Sequence, residues 1–221
     1  MTLQIGFLVF PKVQQLDLTG PYEVFASVAG VAAHLVWKDD APLASATGLV
    51  LKPTTTFADC PPLDVLCVPG GAGVNALLRD EAVLAFVRRQ AEGARYVTSV
   101  CTGALVLGAA GLLRGKRAAT HWNAMDFLAH FGAVAVAERV VRDGRLITAG
   151  GVTSGIDFGL VMITELFGEA DARAIQLSLE YAPAPPFAAG TPDQAGAETV
   201  AVARRRMAAS RAEREAILAE L

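Results

Sequence analysis

The chain has 221 residues, 53% of them hydrophobic, and a formal net charge of −3 at pH 7. That is enough apolar material for one full core, and the charge gives no signal of nucleic-acid or membrane binding. Three widely spaced cysteines exclude a disulfide framework and point to a reducing, cytoplasmic setting.

The first ten residues lack the basic start and small-residue cleavage site of an export signal. They read instead as a strand, Leu3 to Phe10, whose unbroken apolar run suits a parallel strand covered on both faces. No apolar run approaches the ~20 residues needed to span a bilayer. A loop from Lys12 to Gly20 leads to a helix over Pro21–Ala29, with Pro21 in the first turn and Gly30 after the end. A second strand covers Ala33–Trp37. Asp39–Pro53 is a loop or small hairpin turning at Thr47-Gly48. Leu63–Val68 is a third buried strand, followed by Pro69-Gly70-Gly71-Ala72-Gly73, where glycines permit close backbone approach or positive φ. Val74–Gly93 is helical, with Asp80 as an internal cap.

Arg95–Val100 is a short strand that turns abruptly at Cys101 into a helix of small and apolar residues, closed by Gly111 and Gly115. Arg117–Thr120 is a brief strand ending at His121-Trp122, and Asn123–Phe131 is a helix. Val134–Val141 and Arg145–Thr148 pair around Asp143-Gly144. Helices follow at Ser154–Phe167 and Glu169–Tyr181. A proline-rich stretch, Ala182–Gln194, precedes a last helix, Ala197–Leu221, whose Arg204-Arg205-Arg206 reads as a solvated face. Strands alternating with helices predict an α/β fold with a mostly parallel central sheet covered on both faces.

In such sheets ligands bind at the carboxyl ends of strands. Gln15–Gly20, Gly70-Gly71, Cys101-Thr102 and His121 all fall at such ends. Cys101 is either a small buried hydrophobe or a nucleophile on a strand–turn–helix elbow. The elbow needs small residues two positions to either side, here Ser99 and Gly103. As a nucleophile it would sit at a helix N-terminus, where amides favour thiolate. Asp17, between Leu16 and Leu18, is a helix-capping carboxylate or a partly buried acid beside that thiol, with a raised pKa. Glu23 is a competing acid. Gly71 and Thr102 can offer backbone N–H groups to developing negative charge, and the Thr102 hydroxyl can orient water. His121 is a possible general base or a packed loop histidine. Cys60 and Cys67 read as inert, and the three histidines have no metal-site spacing.

The ordered set Phe10-Pro11, Asp17 to Pro21, Val68 to Gly71, Ser99 to Gly103, Thr120-His121-Trp122 and Thr148 to Gly151 resembles the ThiJ/PfpI superfamily. These are flavodoxin-like relatives of class I glutamine amidotransferases. The resemblance runs from Leu3 to about Phe187. It implies a flavodoxin-like α/β domain over residues 1–187, and leaves 188–221 as an extended linker and C-terminal helix packed on the domain or on a partner subunit. It also implies a homodimer, for which the apolar first helix and the C-terminal helix are alternative candidate contact surfaces. By matching positions, Cys101 is the reactive residue and Asp17 the acid that touches its sulfur.

Thr102 stands where the intracellular-protease branch has histidine, and Asp17 where the glyoxalase branch has glutamate. No histidine follows residue 130 to serve an amidotransferase, and the stretch after Phe187 is too short for an appended helix-turn-helix domain. The combination of Asp17, Cys101-Thr102, Thr120-His121-Trp122 and Leu179 to Phe187 is similar to the isonitrile hydratase subgroup. That subgroup adds water to R–N≡C without metal or organic cofactor. The resemblance implies a covalent thioimidate on Cys101, Asp17 as proton donor and acceptor, and a small uncharged substrate in an apolar pocket near His121, Trp122, Gly151 and Val152. Glyoxalase-type carbonyl chemistry and redox sensing at Cys101 are the competing expectations.

Overall fold

A computed structural model describes residues 2–221. Six strands run parallel within a seven-stranded sheet: β1 (Leu3–Leu8), β2 (Val31–Trp37), β5 (Thr55–Thr56), β6 (Val65–Val68), β7 (Tyr96–Val100) and β11 (Leu146–Ala149). The seventh, β10 (Val140–Asp143), adds antiparallel to β11, and the spatial order is β10-β11-β7-β6-β1-β2-β5. The chain steps from β1 outward to β2, then returns across β1 to β6, β7 and β11. Right-handed crossovers in opposite directions place helices on opposite faces of the sheet. That reversal also opens a crevice at the carboxyl ends of β1 and β6, the switch point of a flavodoxin-like sheet.

The helices fall into two packed groups. Helix α1 (Gln15–Ala26) lies against α5 (Ser154–Phe167), and α5 against α6 (Glu169–Ser178). The second group holds α2 (Val74–Leu77), α3 (Glu81–Gly93) and α4 (Gly103–Ala109), with a 3-10 helix at Trp122–Phe131. Ile5, Phe7, Val65, Leu66 and Val100 are fully buried, as a two-sided sheet requires. Phe7, Phe25 and Phe158 join β1, α1 and α5, with ring centroids 5.9 and 6.2 Å apart.

Two sequence-based boundaries are corrected. Helix α1 begins at Gln15 rather than Pro21, so Asp17 belongs to its first turn and Pro21 to its interior. Pro21 has no N–H for the carbonyl four residues back. The missing rung is compensated by packing, because a Cβ at Gly155 of α5 would stand 2.9 Å from the Pro21 ring. The second correction concerns Val134–Val141, which is not one strand. β8 (Arg117–Ala118) pairs in parallel with β9 (Val134–Ala135) in a separate small sheet, and only β10 joins the main one. His121 therefore does not follow a strand of the central sheet.

Smaller differences follow local chemistry. Val74–Gly93 divides into α2 and α3 because the Asp80 side chain accepts from Val83 N–H at 3.3 Å and starts a new helix. The hairpin around Thr47-Gly48 forms from β3 (Leu43–Ala44) and β4 (Val50–Leu51). The last helix, α7, covers Pro192–Leu218 and kinks at Gly196, where φ is +75°.

Helix α7 packs on α2 and the 3-10 helix of its own chain, through polar contacts. The Asn75 amide donates to Ser210 O at 2.9 Å and to Glu213 Oε2 at 2.7 Å. Arg211 grips both Asp126 oxygens at 3.1 and 2.6 Å, and its guanidinium lies 4.4 Å from the Phe127 ring centroid. With Asp126 largely exposed, the Arg211 pair contributes no more than about 1 kcal/mol. Among the described residues no helix is long and apolar enough to cross a membrane.

Candidate active site

Cys101 occupies the turn between β7 and α4 with φ of +56°, a conformation that costs an L-residue energy and persists only where its surroundings enforce it. Here they enforce it from both sides. The Cys101 N–H donates to Ala149 O at 3.1 Å and Gly150 O at 2.8 Å, and the Thr120 hydroxyl donates to Cys101 O at 2.8 Å. Ser99, two residues earlier, is fully buried in β7. Two residues later, a Cβ at Gly103 would lie 2.0 Å from the Val68 carbonyl oxygen. The chain can fold back over β6 at that point only as glycine.

Asp17 comes to this turn from α1 and is fully buried. Its Oδ2 accepts from Gly70 N–H at 2.9 Å. The Cys101 thiol interacts with the same carboxyl, outside standard hydrogen-bond geometry, so Oδ1 has no conventional partner among the described residues. Gly70 makes the convergence possible. A Cβ there would stand 2.6 Å from Thr102 N, 2.7 Å from Thr102 Oγ1 and 2.8 Å from Asp17 Oδ2.

Burial pushes the Asp17 pKa up to about 7, against the pull of the Gly70 amide and the thiol. Burial, then the charge of Asp17, pushes Cys101 well above the ordinary thiol range; the Thr102 amide and hydroxyl pull it down but do not prevail. The Thr102 amide at the start of α4 thus favours thiolate, as expected of a helix N-terminus, while burial and the Asp17 carboxylate oppose it. Helix α4 has only seven residues, and its opening turn is outweighed by desolvation and a neighbouring carboxylate. Near neutral pH the thiol keeps its proton while Asp17 is poised between its two forms.

The Gly71 N–H is not free, as the sequence reading would have it. Gly71 has φ of +131° and donates to Thr102 Oγ1 at 3.1 Å. That bond occupies an acceptor site on the Thr102 hydroxyl and directs its proton elsewhere, with the Cys101 sulfur in reach. Glu23 lies on α1 with its side chain outside this cluster. The Cys60 and Cys67 thiols are pushed up by burial to about 11 and about 12, which leaves them unreactive.

A cavity of about 260 Å³ opens over Cys101 and Thr102. Gln14, Gly71 and Ala72 line it from the ends of β1 and β6, and His121, Ala124 and Val152 from the far side of the elbow. Trp122 and Gly151 are not part of the wall. Trp122 lies against His121 and Arg204, with centroid distances of 5.5 and 5.8 Å. A Cβ at Gly151 would meet the His121 ring at 3.3 Å, so that glycine backs the imidazole instead of facing the cavity.

His121 Nδ1 accepts from Asn123 N–H at 3.2 Å, which assigns the neutral ring's proton to Nε2. Burial and then the nearby Arg214 charge push its pKa down to about 4. It is thus a neutral hydrogen-bond donor at the cavity, and the general-base reading is corrected. Among the described residues no three His, Cys, Asp or Glu side chains cluster as metal ligands would.

Sequence reasoning missed the roof. Helix α7 contributes Arg206, Met207, Ser210, Arg211 and Arg214 to the cavity wall. Arg204, Arg205 and Arg206 are exposed, as the solvated-face reading has them; what the sequence did not show is that docking of α7 onto Asn75 and Asp126 brings Arg211 and Arg214 to the cavity.

The model of the DJ-1/PfpI family matches residues 4–165. An isonitrile hydratase of Pseudomonas putida is 64% identical over 210 residues, covering 95% of this chain and 92% of the relative. A crystal structure of a ThiJ/PfpI family protein from Pseudomonas syringae superposes with a TM-score of 0.95 at 43% identity, over 99% of this chain and 91% of that one. Drosophila melanogaster DJ-1beta shares the fold at a TM-score of 0.75 and 23% identity, over 83% of this chain and 100% of that one.

Two variants test this geometry. Gly103→Ala must displace the Val68 carbonyl; we expect a loss of about 3 kcal/mol and a melting temperature lower by about 6–12 °C. Thermal unfolding at the wild-type value would contradict the close approach. Asp17→Asn tests the buried acid. Its folded pKa is raised, so its contribution to stability is present below the unfolded value and lost as pH rises through about 7. A rise of roughly three units at 1.36 kcal/mol each means that Asp17→Asn gains up to about 4 kcal/mol on wild type between pH 4 and pH 8. Urea unfolding of both proteins across that range would refute it by returning a constant offset.

Proposed function

Because the chain belongs to the DJ-1/PfpI family, we propose that it hydrates isocyanides to N-substituted formamides, with Cys101 as nucleophile and Asp17 as proton carrier. The observation that carries this reading is a thiol held against a fully buried carboxyl whose pKa is pushed to about 7, at the floor of a small cavity. The 64% identity to an isonitrile hydratase over 95% of the chain supports the choice of substrate.

The residues supply each step. The Cys101–Asp17 pair carries one proton in its reactive form. Sulfur attacks the terminal carbon of R–N≡C while Asp17 passes the thiol proton to that same carbon, leaving a thioimidate, R–N=CH–S–Cys101. Water then adds to the imidate carbon, with a proton reaching the nitrogen, to give R–NH–CH(OH)–S–Cys101. Collapse of this adduct breaks the C–S bond, gives R–NH–CHO and returns the proton to sulfur. Asp17 serves as acid in the first step and as base toward water in the second, and a pKa near the working pH suits both. The Thr102 hydroxyl, oriented by Gly71, and the Nε2–H of neutral His121 are the donors available to position the water.

Purified protein is expected to convert alkyl and aryl isocyanides to formamides. Cys101→Ala should show no turnover above buffer, and Asp17→Asn should lose at least about 100-fold in kcat/KM. In the wild type, kcat/KM should fall as pH drops through about 7, because a doubly protonated pair has no acceptor for the thiol proton. Full activity in Cys101→Ala, or no turnover of several isocyanides, would refute the assignment.

A further inference from the structure

The cavity wall carries three arginines, Arg206, Arg211 and Arg214, and no carboxylate. Arg211 is neutralised by both oxygens of Asp126 and by Glu215, at 3.0 Å from its Nε. Arg206 is exposed at the rim. Arg214 is different. It is only 6% exposed, yet it forms no ion pair among the described residues. Its Nε donates to Asn75 Oδ1 at 2.9 Å, while Nη1 and Nη2 have no hydrogen-bond partner among the described residues. The neighbouring acid on α7, Glu213, is held instead on the Asn75 amide at 2.7 Å. Phe127 lies under the guanidinium, 5.9 Å to the ring centroid.

A guanidinium withdrawn from water is costly unless paired. Docking α7 uses one of its five donors, and the two terminal nitrogens remain on a side chain that lines the reaction cavity. Their planar fork matches a carboxylate in bidentate geometry. At about 260 Å³ the cavity falls just below the range of drug-sized sites, so the molecule bridging Cys101 and Arg214 must be small.

We propose that Arg214 is the specificity-determining residue of this site and receives a carboxylate, so that the favoured substrates are small isocyano acids. The isocyanide group itself is uncharged; the charge resides at the other end of the molecule. This replaces the expectation of an uncharged substrate in an apolar pocket, and it rests on the isocyanide reading above. The reaction balances as before, isocyanoacetate plus water giving N-formylglycine. The pathway step that consumes the product must accept an N-formyl amino acid.

The test compares isocyanoacetate with its methyl ester in wild type, Arg214→Gln and Arg214→Lys, with binding of N-formylglycine and its methyl ester measured by calorimetry. Wild type should prefer the acid by at least about tenfold in kcat/KM, mostly through KM. Arg214→Gln should bring the ratio to about one, and Arg214→Lys should retain part of the preference. A merely structural role would lower both substrates equally in Arg214→Gln.

Turnover of both compounds without acid preference in wild type, or with the same ratio in Arg214→Gln, overturns the proposal and leaves the hydratase reading intact. Arg214-dependent binding of N-formylglycine without any isocyanide turnover upholds the anion site and overturns the hydratase reading. Neither turnover nor binding overturns both. Should Arg214→Gln fail to fold, the wild-type preference and the Arg214→Lys ratio decide.

Discussion

The burial of one carboxyl against one thiol organises this molecule. Asp17 is taken wholly out of water and receives one conventional hydrogen bond, from the Gly70 amide. The surrounding architecture serves that contact. The sheet's switch point brings the end of β1 beside the end of β6, and α1 starts early enough to deliver Asp17 in its first turn. Gly70 lacks the side chain that would separate Asp17 from Thr102, and Gly103 lets the next turn pass over Val68. The strain at Cys101 is held by hydrogen bonds that its N–H donates to carbonyls at β11's end and by one that it accepts from Thr120. Desolvation raises both acids, and this matters more than the short helix behind the thiol. The site is consequently a proton-sharing pair, whereas many reactive cysteines depend on a standing thiolate.

The second organising feature is helix α7. Its kink at Gly196 separates the turns before it from the long stretch that reaches α2 and the 3-10 helix, where Asn75, Asp126 and Phe127 receive it. The same helix presents Arg214 to the cavity while Arg211 is spent on Asp126. Folding and substrate choice are thereby coupled, since residues that hold the roof adjoin residues that face the ligand. His121 gains its neutral state from the same neighbourhood, through burial and the Arg214 charge.

Much of this was legible in the residues, for physical reasons. Parallel strands covered on both faces must be predominantly apolar, as β6 is throughout and β1 is from Ile5 onward; an elbow must have a small residue after the nucleophile, and Gly103 is there. What could not be read depended on contacts distant in the chain. Pro21 looked like a helix start, because nothing local reveals that Gly155 would receive its ring inside α1. The split of Val134–Val141 into β9 and β10 is set by partners on different sheets. The Gly71 amide looked available until Thr102 took it. Arg214 carried no signal at all, since a basic residue on a charged helix reads as solvated until Asn75 and Phe127 enclose it.

The central claim is that Cys101 bonds to the isocyanide carbon with Asp17 supplying the proton. The most direct measurement is the intact mass of wild-type protein quenched during isocyanide turnover, followed by peptide mapping. The account predicts a population heavier by the mass of one isocyanide, localised to Cys101 and absent from Cys101→Ala. Formamide production with no adduct at Cys101, and equal production by Cys101→Ala, would contradict it.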